Sequence, residues 1–270
     1  MYLFYVYGSG LGHLTRVRDF IHTKNIPLEK CVIITNSSYK NYFPNTAIII
    51  QKEDDFFKNK HEIHTFLNIC VKKYTISTFV IDVFYAGFYG ELNDFLKKTK
   101  GLQFVLLARI LNNNYTLKYN CITYDIIYTL EQGISIENYA YTHKEDLRLK
   151  PKRKNNIFSI KPKKPYFLVL HSAPLKEVML LYKQALLYRK NQHIYIQTYV
   201  DFPVQYLKEY TTLIYREETK NELLAEAEKI FSGCGFNSCM ETINFRQKQH
   251  VIPFKRRFDD QFKRKNILSL

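Results

Sequence analysis

The polar chemistry of this sequence gathers at two glycine-containing turns. The first, Gly8-Ser-Gly-Leu-Gly-His-Leu-Thr-Arg16, follows the apolar run Tyr2 to Tyr7 and leads into a helical stretch. Glycine lets a backbone come close to a ligand, and a starting helix offers unpaired N–H groups and a positive dipole end to an anion. Gly10 and Gly12 therefore predict a phosphate-bearing ligand. The spacing is not the dinucleotide fingerprint, whose third glycine would fall at position 13, where His13 stands. The next apolar run, Cys31 to Thr35, ends at Asn36-Ser-Ser and brings no acidic residue for a ribose, which argues against NAD. The second turn, Ser232-Gly-Cys-Gly-Phe-Asn-Ser238, again sits between a short strand and a helix. Its N–H groups suit a diphosphate, and Glu241 supplies a carboxylate for the two hydroxyls of a ribose.

His13 titrates near neutral pH, so beside a ligand-type turn it suits a general base or a stabiliser of developing charge; capping the helix is the alternative. Asp82 ends an apolar strand, where it either orients an acceptor hydroxyl or assists as base, or caps a helix. Glu91 and Arg109 read first as a structural ion pair and second as part of a site. His61-Glu-Ile-His64 lacks the four-residue histidine spacing of a zinc helix, and no serine lies midway between two glycines as in a hydrolase elbow. The five cysteines, Cys31, Cys70, Cys121, Cys234 and Cys239, are scattered and odd in number, which fits a reducing compartment and proposes no metal site.

These residues need scaffolds. Up to about residue 145, apolar runs (Tyr2 to Tyr7, Cys31 to Thr35, Thr46 to Ile50, Phe79 to Val83, Phe104 to Leu107, Ile126 to Leu130) alternate with helical stretches, which predicts βα units and a parallel sheet covered on both faces. A basic, proline-containing segment over 146–165 reads as a linker. A second βα series then fills 166–270. Two such halves imply a cleft, with ligands at the carboxyl ends of the strands.

At 270 residues, with 46% hydrophobic and 16% aromatic residues, the chain can bury substantial cores. Its net charge of +15 attracts anions without naming one. The basic linker and the tail (Lys255, Arg256, Arg257, Lys263, Arg264, Lys265) read either as solvated faces or as docking surfaces for an anionic membrane or nucleic acid. With no basic leader before the first strand and no long apolar stretch, the expectation is a cytoplasmic protein, with contact at a membrane periphery through the basic segments left open.

Gly8 to Arg16, Ser232 to Glu241, Val251-Ile-Pro-Phe254 and Phe258-Asp-Asp-Gln261 together resemble the two-ended signature of GT-B glycosyltransferases, in particular the peptidoglycan N-acetylglucosaminyltransferases that form lipid II. Val80 to Leu92 and Leu106-Leu-Ala-Arg109 resemble a group of bacterial glycosyltransferase-like proteins. The resemblance implies a GT-B fold: two Rossmann-like domains, 1–145 on the acceptor side and 166–270 on the donor side, with parallel sheets facing across a cleft. It implies a metal-independent hexosyltransferase-like activity on a nucleotide-sugar donor, a UDP-sugar, with a lipid-linked, small-molecule or DNA acceptor. By the same resemblance Gly10 and Gly12 face the donor phosphates or the acceptor, and His13 stands at the cleft. Gly235, Phe236, Asn237 and Ser238 hold the diphosphate, Glu241 the ribose, and Asp260 and Gln261 the transferred sugar. The resembled enzymes continue further past the Asp-Gln pair than Phe262 to Leu270. A nucleotide-sugar epimerase of the same fold and a non-catalytic binding protein are the other two readings.

Overall fold

The computed structural model describes every residue except Ser9, 40–41, 120–121, Asn138, 152–161, 216–220 and Leu270. Much of the predicted linker, together with Cys121, thus lies outside the described residues. The chain forms two compact units, Met1–Lys152 and Arg153–Leu270.

In the first unit the order is β1 (Tyr2–Val6), α1 (Leu11–Thr23), β2 (Cys31–Thr35), β3 (Ile48–Gln51), α2 (Asp54–Lys58), α3 (Lys60–Lys73), β4 (Thr78–Asp82), α4 (Asn93–Lys98), β5 (Gln103–Ala108), α5 (Asn113–Thr116), β6 (Tyr124–Thr129) and β7 (Tyr141–Asp146). The sheet runs β3-β2-β1-β4-β5-β6-β7, every pairing parallel. All five residues of β2 and of β4 are buried, as strands covered on both faces must be, and their β-branched and aromatic side chains suit that position. Helix α1 buries Leu14, Val17 and Ile21, one helical stripe. The side chain of Asn59 accepts from the Glu62 amide at 3.2 Å and starts α3.

Edge strand β7, of sequence Tyr-Thr-His-Lys-Glu-Asp, falls in no predicted strand. It is mostly exposed, so it carries no apolar alternation, and its charges suit an open sheet edge. Lys150, in the segment read as a linker, donates its amide to Thr23 Oγ1 at 2.8 Å.

The second unit comprises β8 (Tyr166–Leu170), α6 (Leu175–Tyr188), β9 (His193–Thr198), β10 (Thr211–Tyr215), α7 (Asn221–Glu226), β11 (Lys229–Gly233), α8 (Phe236–Glu241), β12 (Gln249–Ile252) and α9 (Gln261–Leu268). Its parallel sheet runs β10-β9-β8-β11-β12. Alternation along β8 divides the core in two. Phe167 and Val169 pack with Val178 and Leu181 of α6, whereas Tyr166, Leu168 and Leu170 pack with Leu223 and Leu224 of α7. The helix expected over Cys239 to Phe245 instead begins at Phe236, ends at Glu241 and gives way to 3₁₀ turns over Ile243–Lys248.

In both units the strand order reverses beside a central pair, β1 and β4 in the first and β8 and β11 in the second. The crevice outside the carboxyl ends of such a pair is where open α/β sheets take ligands.

Candidate functional site

At the carboxyl end of β1 and β4, three side chains meet. His13, on the first turn of α1, places Nδ1 2.6 Å from Asp82 Oδ2. Arg16, one turn further on the same face, donates Nε to Asp82 Oδ1 at 2.6 Å and Nη2 to Asp82 Oδ2 at 2.7 Å. Burial alone would raise the Asp82 carboxyl, but the Arg16 guanidinium and the His13 hydrogen bond outweigh it and hold the group at about 2. An ionised carboxylate only accepts, so the short contact requires a proton on His13 Nδ1. Nε2 then carries the lone pair of the neutral ring. Burial also lowers the His13 pKa, and Arg16 and Arg109 add to this, against the pull of Asp82. The ring is a neutral base at pH 7 with its tautomer set by Asp82. Asp82 caps no helix, because both its oxygens serve His13 and Arg16.

The backbone is shaped around this group. A Cβ on Gly8 would stand 2.2 Å from His13 Cδ2, so glycine at position 8 makes room for the imidazole. Phe84 stacks on the ring at 5.9 Å between centroids, and Phe88 packs against both Phe84 and Tyr7. Val83 is held at φ 68°, and the Phe84 amide reaches back to the Asp82 carbonyl at 2.8 Å, closing a three-residue turn. For a β-branched residue this conformation costs on the order of 1 to 3 kcal/mol, strain of the kind that collects where a site dictates backbone direction.

Gly10 is the extended N-cap of α1, and a Cβ there would meet nothing within 4 Å. Gly12 lies inside the first turn of α1. Neither glycine adopts positive φ, so their residue type is not demanded by the backbone itself. Glu91 is not paired with Arg109: it accepts from the Tyr5 hydroxyl at 2.6 Å and from the Tyr89 and Phe88 amides at 2.6 and 3.1 Å, while Arg109 Nε lies 3.6 Å from Glu131. Glu91 fixes the loop after β4.

In the second unit Gly235 is the extended N-cap of α8, and Phe236, Asn237 and Ser238 form its first turn, with Phe236 buried. Glu241 is the last residue of that short helix. Asp260 caps α9 by accepting from the Lys263 amide at 2.9 Å, and Gln261 Oε1 accepts from the Phe254 amide at 2.9 Å. Each spends one oxygen on the fold. The Gln261 Nε2 end faces the turn, 3.9 Å from where a Gly235 Cβ would lie. The structure thus brings Gln261 to Gly235.

Two arginines of the basic tail are used internally. Arg264, 1% exposed, donates to the Cys234 carbonyl at 2.9 Å and to Asp259 at 2.7 Å, tying α9 to the root of the turn. Arg256 clamps Glu177. The internal roles of Arg16, Arg256 and Arg264, and His171 and Glu177 altogether, escaped the sequence reading. Only the i, i+3 spacing of His13 and Arg16 was there to be seen. Among the described residues no three His, Cys, Asp or Glu side chains gather in a way that could hold a metal, and no helix is long and apolar enough to cross a membrane.

The sequence matches no family model and no curated protein. Solved structures do match in fold. A glycosyltransferase of kitacinnamycin superposes with a TM-score of 0.64 over 99% of this chain and 83% of its own, at 10% identity. UDP-N-acetylglucosamine 2-epimerase from Rickettsia bellii gives 0.54 over 97% and 80%, at 11% identity. MurG from Acinetobacter baumannii gives 0.51 over 99% and 83%, at 10% identity. The fold is that of GT-B glycosyltransferases, two parallel α/β units, as the sequence resemblance implied.

Proposed function

We propose that this protein transfers a sugar from a nucleoside diphosphate donor, a UDP-sugar, to an acceptor hydroxyl without a metal ion. The His13-Asp82-Arg16 group at the carboxyl end of the central strands of a GT-B fold carries this reading. In the reaction His13 Nε2 takes the acceptor proton as the acceptor oxygen bonds to the anomeric carbon. The bond from that carbon to the diphosphate breaks, and its electron pair leaves with the diphosphate. Asp82 acts as a positioning residue that holds the ring and its tautomer. The Gly235 to Ser238 turn takes the diphosphate, Glu241 the ribose, and Gln261 and Asp260 the sugar. Helix dipole, backbone amides and basic side chains replace a metal at the leaving group.

Incubating the chain with a panel of nucleotide sugars and with lipid-linked, small-molecule and DNA acceptors, and measuring free nucleoside diphosphate, tests the reading directly. Acceptor-dependent release supports it; a panel that is never consumed leaves only a binding role. Turnover is expected to survive EDTA. Loss on chelation with recovery on Mg²⁺ or Mn²⁺ would overturn the metal-free mechanism. Glu241→Ala should weaken nucleotide binding by on the order of 1.5 to 3 kcal/mol through loss of charge-assisted hydrogen bonds, read by calorimetry. Unchanged affinity in the folded variant would remove Glu241 from the ribose site.

The fold match to a UDP-N-acetylglucosamine 2-epimerase favours a second reading, isomerisation of the sugar on its nucleotide. An isomeric nucleotide sugar formed with no acceptor present would select it.

A further inference from the structure

Helix α6 spends one face on the fold and turns a mixed apolar and basic face to solvent. Val178, Leu181, Tyr182 and Ala185 are buried in the core of the second unit. On the opposite side Lys176, Leu180, Lys183 and Leu187 follow one another at steps of four, three and four residues, so they stand in one row along the helix, and all four are exposed. Lys190 is exposed just past the helix end. The solvent face of a surface helix is ordinarily polar. Here two leucines alternate with the lysines, and Leu187 is 77% exposed.

The row has an apolar neighbour in segment 202–210, which is tied to the flank of α6. The Lys208 amide donates to the Tyr182 hydroxyl at 2.8 Å, Arg189 Nη1 donates to the Glu209 carbonyl at 2.7 Å, and Leu207 packs on the same core as Met179 and Leu186. This segment holds Val204, Tyr206 and Tyr210 out to solvent at 72%, 53% and 71% exposure, with Lys208 exposed among them. Its one carboxylate is Glu209, and Glu177 of α6 is buried and clamped by Arg256. Apolar side chains exposed singly are ordinary. Several gathered beside a row of lysines mark an interaction surface.

Charge complementarity selects the partner. These lysines, on a chain of net charge +15, attract an anion. A second copy meeting the same face across a two-fold axis would set each lysine against its own image. A nucleic acid would satisfy the lysines, but it reads and stacks with polar and aromatic side chains and gives the leucines nothing to enter. The headgroup layer of an anionic bilayer satisfies both sets: ammonium groups reach the lipid phosphates, tyrosine rings sit at the interface, and Leu180 and Leu187 enter the acyl boundary. We propose that α6 and segment 202–210 form a docking surface for an anionic lipid bilayer. The inference does not depend on the transferase reading. It places membrane contact on the solvent face of α6 rather than on the basic tail, two of whose arginines are internal clamps.

The chain contains no tryptophan, so one introduced residue reports a single site. Leu187→Trp in the full chain is mixed with vesicles of equal parts phosphatidylglycerol and phosphatidylcholine, and with vesicles of phosphatidylcholine alone. With the anionic vesicles only, its emission should shift to the blue and be quenched by brominated acyl chains. Leu117→Trp, at an 85% exposed leucine of the first unit, should keep its aqueous emission. In flotation, the wild-type chain should bind the anionic vesicles about 10- to 100-fold more tightly than the neutral ones, and a double variant carrying Leu180→Gln and Leu187→Gln should lose about 10-fold in that affinity. Both leucines are exposed, so the substitutions leave the fold standing, and the tryptophan reporter decides the question without them. An unshifted Leu187→Trp, a shift at Leu117→Trp in its place, or wild-type affinity in the double variant would overturn the surface. Capture of a duplex oligonucleotide with no binding to vesicles would overturn it as well, and would assign the lysines to nucleic acid.

Discussion

His13→Ala is expected to lower turnover by roughly 10² to 10⁴ while leaving nucleotide affinity nearly unchanged. The ring belongs to the first unit, and the nucleotide contacts proposed above belong to the second, so chemistry and donor binding fall on separate parts of the chain. Initial rates at saturating donor, with calorimetric titration of UDP, measure both. Near-normal turnover in the variant would remove His13 from the role of base, and Asp82, buried and held at about 2 by Arg16, could not take it over. The acid side of the pH profile adds a second reading. Burial lowers the His13 pKa, so the base form should persist to more acidic pH than an ordinary histidine, and kcat/KM should hold until below about pH 6.5.

Asp82→Asn is expected to destabilise the first unit by about 3 to 5 kcal/mol, because it strands the Arg16 guanidinium, 1% exposed, without its counter-charge. Denaturant midpoints measure the loss. Replacing Arg16 by Met in the same chain should recover part of it, since a buried pair removed together costs less than one partner removed alone. Recovery of nothing would show that the pair is not the source. Lowering pH probes the same interaction without mutation. The folded Asp82 carboxyl, at about 2, sits below its unfolded value, so its contribution is complete above about pH 4 and drains away as pH falls toward 2. That contribution is about 2 kcal/mol. The substitution exceeds it because the Asn amide sets an NH2 donor against the donors of Arg16 or His13, whereas a protonated carboxyl keeps two oxygens there.

Much of the fold was legible because parallel strands buried on both faces are unbroken apolar runs, as in Cys31–Thr35 and Tyr166–Leu170. Strand β7 was not legible, because an exposed edge strand has no core face to record. The two glycine turns announced the ends of β1 and β11, yet the reason for Gly8 was hidden. It serves a ring five residues on, where the sequence suggested a phosphate.

Residue types, order and local spacing determined by themselves that this chain builds two parallel α/β sheets, and that His13, Asp82 and the Gly235 to Ser238 turn fall at strand ends. These are properties of short segments, set by periodicity and by which residues can begin a helix. Partnerships were decided only by tertiary structure. Asp82 lies 69 residues from His13 and Arg256 lies 79 from Glu177, and parallel pairing with helical crossovers brings each pair to the carboxyl end of its sheet. The same folding turned Arg256 and Arg264 from members of a basic tail into internal clamps, since a long cationic side chain follows whichever carboxylate the backbone places within its reach.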